Sequence, residues 1–288
     1  AELRAEGFLS AHAGRGTFVA KDSPSQTHST PDERVPFMPN RLEDNTDYSL
    51  REMMRLARQP GIINFGQGAP PVDFLPTAYL REAINAVLDR DGGSALSYER
   101  SEGYAPLRHA VRDYVSALGI QSSASDVLIT GGTQQAIDLV IQSLLTEGET
   151  LITEEPTYIG VLDIARARRV RVQGIPIDDE GMRLDYLENY LVDNHAKLVY
   201  VMPSFQNPTG TVMPLHRRRQ LLNIAEEYHL TVLEDGVYHE FRFEGDALPP
   251  LKALDENGTV IHASGFTKML LPGIRIGYLI ANTQHYAR

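Results

Sequence analysis

The chain has 288 residues, 42% of them hydrophobic and 23% charged, and carries a formal net charge of −11. Such a composition is typical of a folded globular protein and excludes a disordered chain. No run approaches the roughly 20 apolar residues of a membrane-spanning helix, so we expect a cytoplasmic protein without a membrane partner. The absence of cysteine excludes disulfides and thiolate zinc sites. The acidic charge restricts any DNA contact to a local basic module or to residues outside this sequence.

The N-terminal part of the chain predicts a small module, residues 1–20, followed by a linker. Residues 1–7 are predicted to be the last turns of a helix, and the runs 8–12 and 16–20 predict the strands of a β-hairpin. Residues 21–47 include a stretch rich in Ser, Thr and Pro without apolar periodicity, which predicts a linker. A domain boundary is therefore expected before the rest of the chain.

From residue 127 onward, short β-branched runs alternate with helical patterns. The predicted strands are residues 127–130, 150–153, 170–172, 198–201, 231–233 and 260–262. Alternation of strand and helix predicts a mostly parallel sheet covered by helices on both faces. Ligands of such sheets bind beyond the carboxyl ends of the strands, where the chemically suggestive residues lie. A further helix is predicted over residues 48–58.

Four short strings follow these strands, and each alone has a plain structural explanation. Thr130-Gly-Gly-Thr-Gln-Gln-Ala136 is a glycine-rich turn that opens a helix, which suits a phosphate but equally serves a tight turn. Asn207-Pro-Thr-Gly210 consists of ordinary turn residues and precedes a helix predicted to start near residue 215. The pair Glu234-Asp235, with Tyr238 beyond it, equally fits a helix cap or a surface charge. In Ser264-Gly-Phe-Thr-Lys268 and Pro272-Gly-Ile-Arg275, the lysine and arginine would ordinarily be solvated.

The joint occurrence of these strings, in this order and at the strand ends of one domain, resembles the class I and II aminotransferases of fold-type I. The resemblance extends over residues 48–288 and implies pyridoxal 5'-phosphate (PLP) as the cofactor. It implies an α/β fold with a mostly parallel seven-stranded sheet sandwiched by helices. It also implies a homodimer, because Tyr98 matches the family tyrosine that reaches the phosphate of the neighbouring subunit.

The resemblance assigns a role to each matching residue, and the implied catalytic residues are Lys268, Asp235 and Tyr238. Lys268 would form a Schiff base with the cofactor aldehyde and later act as the base that moves the proton. Asp235 would pair with the protonated pyridine nitrogen, while Asn207 and Tyr238 would hydrogen-bond the phenolic oxygen of the ring. Tyr158 would stack on the ring face. The phosphate would be bound by Gly132, Thr133, Gln134, Thr267 and Arg275. The substrate would contact Gly68 and Asn207.

This sequence departs from the family pattern in two ways. Many family members have a phosphate-binding serine three residues before the lysine, where this chain has Gly265, so that contact is lost or is supplied by Ser264. The chain also ends at Arg288, so we expect the smaller C-terminal domain, with the arginine that binds the substrate carboxylate, to be missing. Because the first residue is Ala1 rather than methionine, we expect the true start to lie upstream.

The N-terminal module carries a second resemblance. Leu3-x-x-Glu6-Gly7-Phe8-Leu9 and Gly14-Arg-Gly-Thr-Phe-Val19 resemble the last helix and wing of the winged-helix DNA-binding domain in GntR-type regulators. A wing, a linker and an aminotransferase-like domain in one chain resemble the MocR subgroup of these regulators. This resemblance implies a transcription regulator whose PLP domain senses an amino acid or amine effector and controls DNA binding.

The sequence therefore leads first to a PLP-binding transcription regulator. The rival hypothesis is a working aminotransferase that acts on an α-amino acid and a 2-oxo acid. A dinucleotide-binding oxidoreductase is disfavoured, because no G-x-G-x-x-G string follows a strand.

Overall fold

The computed structural model describes residues 70–282 without a gap, and before them residues 9–12, 16–19, 55–57, 59, 61–63 and 68. The chain divides into two units, residues 1–68 and residues 69–288, and each is described separately.

The first unit contains an antiparallel hairpin, which confirms the predicted pair of N-terminal strands. Strand β1 is Leu9–His12 and strand β2 is Gly16–Val19, with Leu9 opposite Val19. The predicted helix end at 1–7, the linker at 21–47 and most of the helix predicted for 48–58 lie outside the described residues.

The second unit contains, within the described residues, an eight-stranded sheet in the order β3-β10-β9-β8-β7-β4-β5-β6. The strands are β3 (Val127–Thr130), β4 (Thr150–Glu155), β5 (Arg171–Asp178), β6 (Gly181–Met182), β7 (Leu198–Val201), β8 (Thr231–Asp235), β9 (Val260–Gly265) and β10 (Gly277–Ile280). All neighbours are parallel except β10, which is antiparallel to β3 and β9, and β6, which is antiparallel to β5.

Two helices of this unit precede β3, and the others lie between strands in sequence. They are α1 (Thr77–Asp91), α2 (Ala105–Ala117), α3 (Thr133–Leu144), α4 (Ile159–Arg168), α5 (Leu184–Asp193), α6 (Leu215–Glu227) and α7 (Leu251–Leu254). In α3, Ile137, Val140 and Ile141 are buried at positions i, i+3 and i+4, so one apolar stripe of the helix faces the sheet.

Helices cover both faces of the sheet, and the core has a cluster on each face. Beneath α3 and α4, the strands contribute Leu151, Tyr200, Leu233 and Leu279. Beneath α5 and α6, they contribute Ile152, Val199, Val201 and Val232. The two sets alternate along each strand because successive side chains of a strand point to opposite faces. The predicted fold, a mostly parallel sheet sandwiched by helices, is therefore confirmed.

All six predicted strands are present; β3 and β7 have the predicted bounds, whereas the ends of the other four differ from the prediction. Strands β8 and β9 extend to Asp235 and Gly265, so the functional strings that were expected after them begin inside the sheet. The seventh long strand, β10, begins at Gly277, directly beyond the Pro-Gly-x-Arg string. The eighth, β6, has two residues and pairs only at the edge. No helix in the described part of the chain combines the length and hydropathy needed to cross a bilayer.

Candidate functional site

The predicted site residues gather where the parallel strands end. Asp235 is the last residue of β8, and its register partner in β9 is Ala263. Lys268 follows three residues after β9, Asn207 lies in the segment between β7 and α6, and Tyr158 precedes α4. The carboxyl edge of the sheet thus carries the main chemical groups, as expected for a fold of this kind.

The N-terminus of α3 forms a small anion-binding arrangement. Gly132 has a φ of +106°, and no side chain caps the helix. The Thr133 hydroxyl is buried without a hydrogen-bond partner. Arg275 closes the arrangement, with Nη2 donating to the Gly131 carbonyl at 3.3 Å and Nη1 to the Thr267 hydroxyl at 3.5 Å. Free backbone N–H groups, the helix dipole and a guanidinium together suit a phosphate.

Two glycines allow α3 to approach the sheet this closely. Gly265 and Gly277 are paired in register between β9 and β10. A Cβ atom on Gly277 would lie 2.7 Å from the Thr133 nitrogen, and one on Gly265 would lie 2.9 Å from both the Thr133 hydroxyl and the Ile276 carbonyl oxygen. A side chain at either position would therefore displace the first turn of the helix or its neighbours.

This packing explains the glycine at position 265. The space that a serine side chain would need is already taken by the Thr133 hydroxyl. Ser264 does not fill the role, because it pairs in register with Tyr278, one position along the strand and hence on the opposite face. Supply of the phosphate contact by Ser264 is therefore not supported, and the hydroxyl that lies next to position 265 is that of Thr133.

Gln134 is engaged with Tyr158 rather than with the anion-binding arrangement. The Tyr158 hydroxyl donates to Gln134 Oε1 at 3.1 Å, and Gln134 Nε2 donates to the Gly160 carbonyl at 2.8 Å. The Gln134 side chain thus fixes the Tyr158 ring, while its backbone N–H remains in the first turn of α3. Burial raises the pKa of the Tyr158 hydroxyl above its ordinary value of 10, so the ring stays neutral.

Arg218 holds the segment that carries Asn207. This arginine of α6 is completely buried, and its guanidinium donates to the carbonyl oxygens of Pro203, Met213 and Pro249 at 2.8 to 2.9 Å. Pro203 and Met213 are also joined by a backbone hydrogen bond of 2.9 Å. The two ends of the Asn207 segment are therefore fastened by one side chain that sequence patterns did not mark.

Gln206 fastens the same segment to the Tyr158 side of the site. Its Nε2 donates to the Pro156 carbonyl at 2.7 Å, and its Oε1 accepts from the Thr209 N–H at 3.0 Å. The Glu155–Pro156 and Asn207–Pro208 peptide bonds are both cis. Asn207 is half-buried.

Asp235 and Glu154 are two buried acids at the carboxyl edge of the sheet, but strand alternation assigns them to opposite faces: Thr153 pairs with Tyr200, whose side chain is on the Asp235 face, and Glu154 is the next residue. Burial raises the pKa of Asp235 to about 6 and that of Glu154 to about 8. Glu154 accepts from the Met202 N–H at 3.0 Å through Oε2, while Oε1 has no partner. At neutral pH, Glu154 is therefore protonated and Asp235 carries the negative charge.

Glu234, next to Asp235 in sequence, faces the other side of the sheet. Its carboxylate accepts from the backbone N–H groups of Leu251 and Lys252 and contacts His262 Nδ1 at 2.8 Å. Burial alone would raise the pKa of Glu234, but His262 and the two backbone donors outweigh it and lower the pKa. Glu234 is thus a structural residue and Asp235 is the one that faces the candidate site.

For the remaining predicted residues, the structure gives their exposure rather than a contact with the rest of the candidate site. Tyr238 is half-buried just beyond β8, and its ring meets Phe241 edge-to-face at 5.9 Å between ring centroids. Lys268 is half-buried. Tyr98 is fully exposed, at 103% of its reference area, so its contact with a neighbouring subunit stays a prediction. Gly68 belongs to the first unit, and its predicted substrate contact is likewise untested.

The residues present fit PLP. The buried side-chain atoms without a hydrogen-bond partner, among the described residues, are Ser122 Oγ, Thr133 Oγ1, Glu154 Oε1 and Thr157 Oγ1. Thr133 Oγ1 belongs to the anion-binding arrangement, and Thr157 Oγ1 lies directly before Tyr158 in sequence. Buried polar groups without partners are rare in native proteins, so their concentration here indicates a polar ligand.

Comparison with known proteins identifies the family. Residues 60–287 match the aminotransferase class I and II family, and the chain belongs to it. The chain is 35% identical over 245 residues to aromatic-amino-acid aminotransferase 1 of Thermococcus litoralis, which covers 83% of this chain and 58% of that protein. It is 30% identical over 279 residues to the uncharacterized HTH-type transcriptional regulator YisV of Bacillus subtilis, an alignment that covers 96% of this chain and 57% of that protein.

A solved structure agrees with this assignment. LysN, the alpha-aminoadipate aminotransferase of Thermus thermophilus, was solved with N-(5'-phosphopyridoxyl)-L-leucine. It matches with a TM-score of 0.76 at 35% identity, covering 86% of this chain and 61% of LysN. The cofactor of this domain is therefore PLP. The chain spans about three-fifths of the length of these relatives.

Proposed function

We propose that this chain is the cofactor-binding domain of an aminotransferase that moves an amino group between an α-amino acid and a 2-oxo acid. The observation that carries the proposal is the common edge of the sheet at which Asp235, the segment with Lys268 and the anion-binding N-terminus of α3 meet. When bound, PLP supplies an electron sink for the carbanion formed next to a substrate amine.

The two ends of the cofactor would be held by opposite charges. The phosphate would bind to the N–H groups of α3, the Thr133 hydroxyl and the Arg275 guanidinium. Asp235, ionised above about pH 6, would be the counter-ion of the protonated ring nitrogen. These two contacts fix the position and charge of the ring.

The remaining residues would orient the ring and move the proton. Tyr158, fixed by Gln134, would stack on the ring face, while Asn207 and Tyr238 would bind the phenolic oxygen. Lys268 Nζ would bind the cofactor aldehyde, and once a substrate amine has displaced it, it would take the proton from the substrate α-carbon. Tyr98 would reach the phosphate of a second copy, which makes a homodimer part of the proposal.

Substitution of Lys268 tests this assignment. The chain has four lysines, so borohydride reduction of the holoprotein followed by peptide mapping identifies the one that binds PLP. We expect label at Lys268 and none in Lys268→Ala. Lys197→Ala is the matched control, because Lys197 is an exposed partner of Glu149. Label at Lys197 or at Lys252 would refute the assignment.

A second candidate function is transcription regulation, and the extent of the match favours it. The alignment to the regulator covers 96% of this chain, including the N-terminal module, whereas that to the aminotransferase covers 83%. The hairpin of β1 and β2 occupies the residues that resemble a wing. In this case residues 1–20 belong to a DNA-binding domain, residues 21–47 are a linker, and the domain from residue 48 onward senses an amino acid or amine.

Two assays on the full-length protein separate these candidates. A regulator is expected to bind DNA in a gel-shift titration with an affinity that depends on PLP and changes in Lys268→Ala. An enzyme is expected to transfer amino groups at a useful rate, and any DNA binding should depend neither on PLP nor on the Lys268→Ala substitution. Robust transfer with no PLP-dependent DNA binding would eliminate the regulator.

A further inference from the structure

Asp235 is held by two hydrogen-bond donors, and one of them is a residue that no motif marks. The Tyr200 hydroxyl donates to Asp235 Oδ2 at 2.8 Å, and the Val237 N–H donates to Oδ1 at 3.1 Å. Tyr200 and Asp235 have exposed fractions of 0% and 2%. Each carboxylate oxygen therefore has one fixed donor, and this fixes the rotation of the carboxylate.

The sheet places the Tyr200 hydroxyl at Asp235. Tyr200 of β7 is the register partner of Leu233 in the adjacent parallel strand β8. Since side chains alternate along a strand, Leu233 and Asp235 point to the same face, which is also the face of Tyr200. The Tyr200 ring packs in the cluster beneath α3 and α4, so its hydroxyl is the polar tip of an otherwise apolar side chain.

Other ionisable groups surround Asp235, and they act in opposing directions. The ionisable groups that act on the charge of Asp235 are Tyr200 of β7, His262 of β9 and Glu234 of its own strand. The Asp235 charge in turn raises the pKa values of Glu154, Tyr158 and Tyr238. Burial disfavours the Asp235 carboxylate, whereas the donors from Tyr200 and Val237 favour it. Because Glu154 is protonated at neutral pH, it adds no competing negative charge. Among the groups that favour the charged form of Asp235, Tyr200 has the largest effect on its pKa.

We propose that Tyr200 is a positioning residue that orients the Asp235 carboxylate towards the cofactor ring nitrogen and stabilises its charged form by donating a hydrogen bond. This inference rests on the proposed role of Asp235 and extends it to a residue buried behind the site. Without the hydroxyl donor, Asp235 would take up a proton at neutral pH, and a protonated acid is no counter-ion for a pyridinium.

Tyr200→Phe tests the inference, because it removes one oxygen and retains the ring volume. Tyr278→Phe is the matched control: Tyr278 is also a buried tyrosine of the sheet, at 1% exposure, but it pairs with Ser264. The first measurement is the Asp235 pKa in the apoprotein. Carbon-13 NMR of labelled aspartate monitors the titration, and the Asp235 signal is assigned by its loss in Asp235→Asn. We expect Tyr200→Phe to increase the proton affinity of Asp235 about 10- to 100-fold, which raises its pKa, and Tyr278→Phe to leave it unchanged.

The second measurement is the affinity for PLP across the pH range. We expect Tyr200→Phe to weaken binding more at about pH 6 than at about pH 9, since Asp235 is ionised in both proteins at the higher pH. A purely structural defect would weaken binding equally at each pH. An unchanged Asp235 pKa in Tyr200→Phe, or a pH-independent loss of affinity, would overturn the inference. If Asp235→Asn itself leaves PLP affinity unchanged, the proposed role of Asp235 fails instead, whatever Tyr200 does.

Discussion

Replacement of Gly265 by serine would restore the residue that many family members have, yet we expect it to damage this protein. The new Cβ would lie 2.9 Å from both the Thr133 hydroxyl and the Ile276 carbonyl oxygen, and 3.1 Å from the Gly277 Cα. Two of these three neighbours are backbone atoms, which cannot move without disturbing the pairing of β9 with β10. Overpacking of this kind costs about 1–3 kcal/mol. We expect Gly265→Ser to lower the free energy of unfolding by that amount.

The double mutant Thr133→Ala/Gly265→Ser isolates the contact between positions 133 and 265. Thr133→Ala removes the hydroxyl that occupies the space, so Gly265→Ser should be tolerated better in that background, with a coupling of about 1 kcal/mol. The relief is partial, because the Ile276 carbonyl remains. PLP affinity should fall in Thr133→Ala and recover in part in the double mutant, since a hydroxyl returns to the anion-binding arrangement.

Denaturant unfolding measures the stability effect, and absorbance titration measures PLP affinity. Gly93→Ser is the control, because a Cβ there meets no atom within 4 Å. Equal stability of Gly265→Ser and the native protein, or strictly additive effects in the double mutant, would refute the argument that Thr133 has taken the place of a side chain at 265.

Other substitutions test the remaining contacts. Asp235→Ala should weaken PLP binding by about 3–5 kcal/mol and shift the visible absorption, because a buried pyridinium loses its counter-ion. Asn207→Ala should weaken PLP binding less. An unaltered spectrum in Asp235→Ala would show that another residue pairs with the pyridine nitrogen. Burial raises the pKa of Glu154 from 4.5 to about 8, so the folded apoprotein retains a proton that the unfolded chain releases, and stability falls as the pH rises through that window. Glu154→Gln should remove this dependence of stability on pH and stabilise the apoprotein near pH 8 by a few kcal/mol, because each pH unit between the two pKa values contributes about 1.4 kcal/mol. Parallel curves of stability against pH for the two proteins would contradict this expectation. Arg218→Met should cost about 3 kcal/mol or more in denaturant unfolding, since it leaves the carbonyls of Met213 and Pro249 without a donor while that of Pro203 keeps the Met213 N–H. Arg217→Met, at a more accessible ion pair, should cost about 1 kcal/mol or less, and equal losses would show that the buried contacts of Arg218 are not special.

The sequence predicts the order of strands and helices well, because each long element has a strong local pattern. The β-branched runs at 198–201 and 231–233 are buried strands, and the apolar stripe from Ile137 to Ile141 is the buried face of α3. The weaker elements are missed for physical reasons. Strand β10 begins immediately after a turn motif, and β6 has only two residues, so neither carries a periodic signal of its own.

Some residues of the candidate site could likewise be predicted from the sequence, and others could not. Residues in compact strings, such as Asp235 and Lys268, are predictable because a fixed order of turn and strand identifies them. Tyr200, Glu154 and Arg218 are not, since each acts through a partner distant in sequence. The Tyr200 hydroxyl, for example, meets a carboxylate 35 residues later, and only the register of β7 with β8 brings the two together.

The exchange at position 265 illustrates why a departure from a motif has to be judged in three dimensions. Within the string Ser264-Gly-Phe-Thr-Lys268, the glycine looks like the loss of a phosphate ligand, and the neighbouring serine looks like its replacement. Strand alternation assigns Ser264 to the far face, and the closely packed first turn of α3 brings a hydroxyl from another part of the chain to that position. The same pair of glycines that removes a side chain thus allows the positive end of α3 to come nearer to the sheet. The first turn of α3 thereby carries both the uncapped helix N-terminus and the Thr133 hydroxyl, the two features that suit a phosphate.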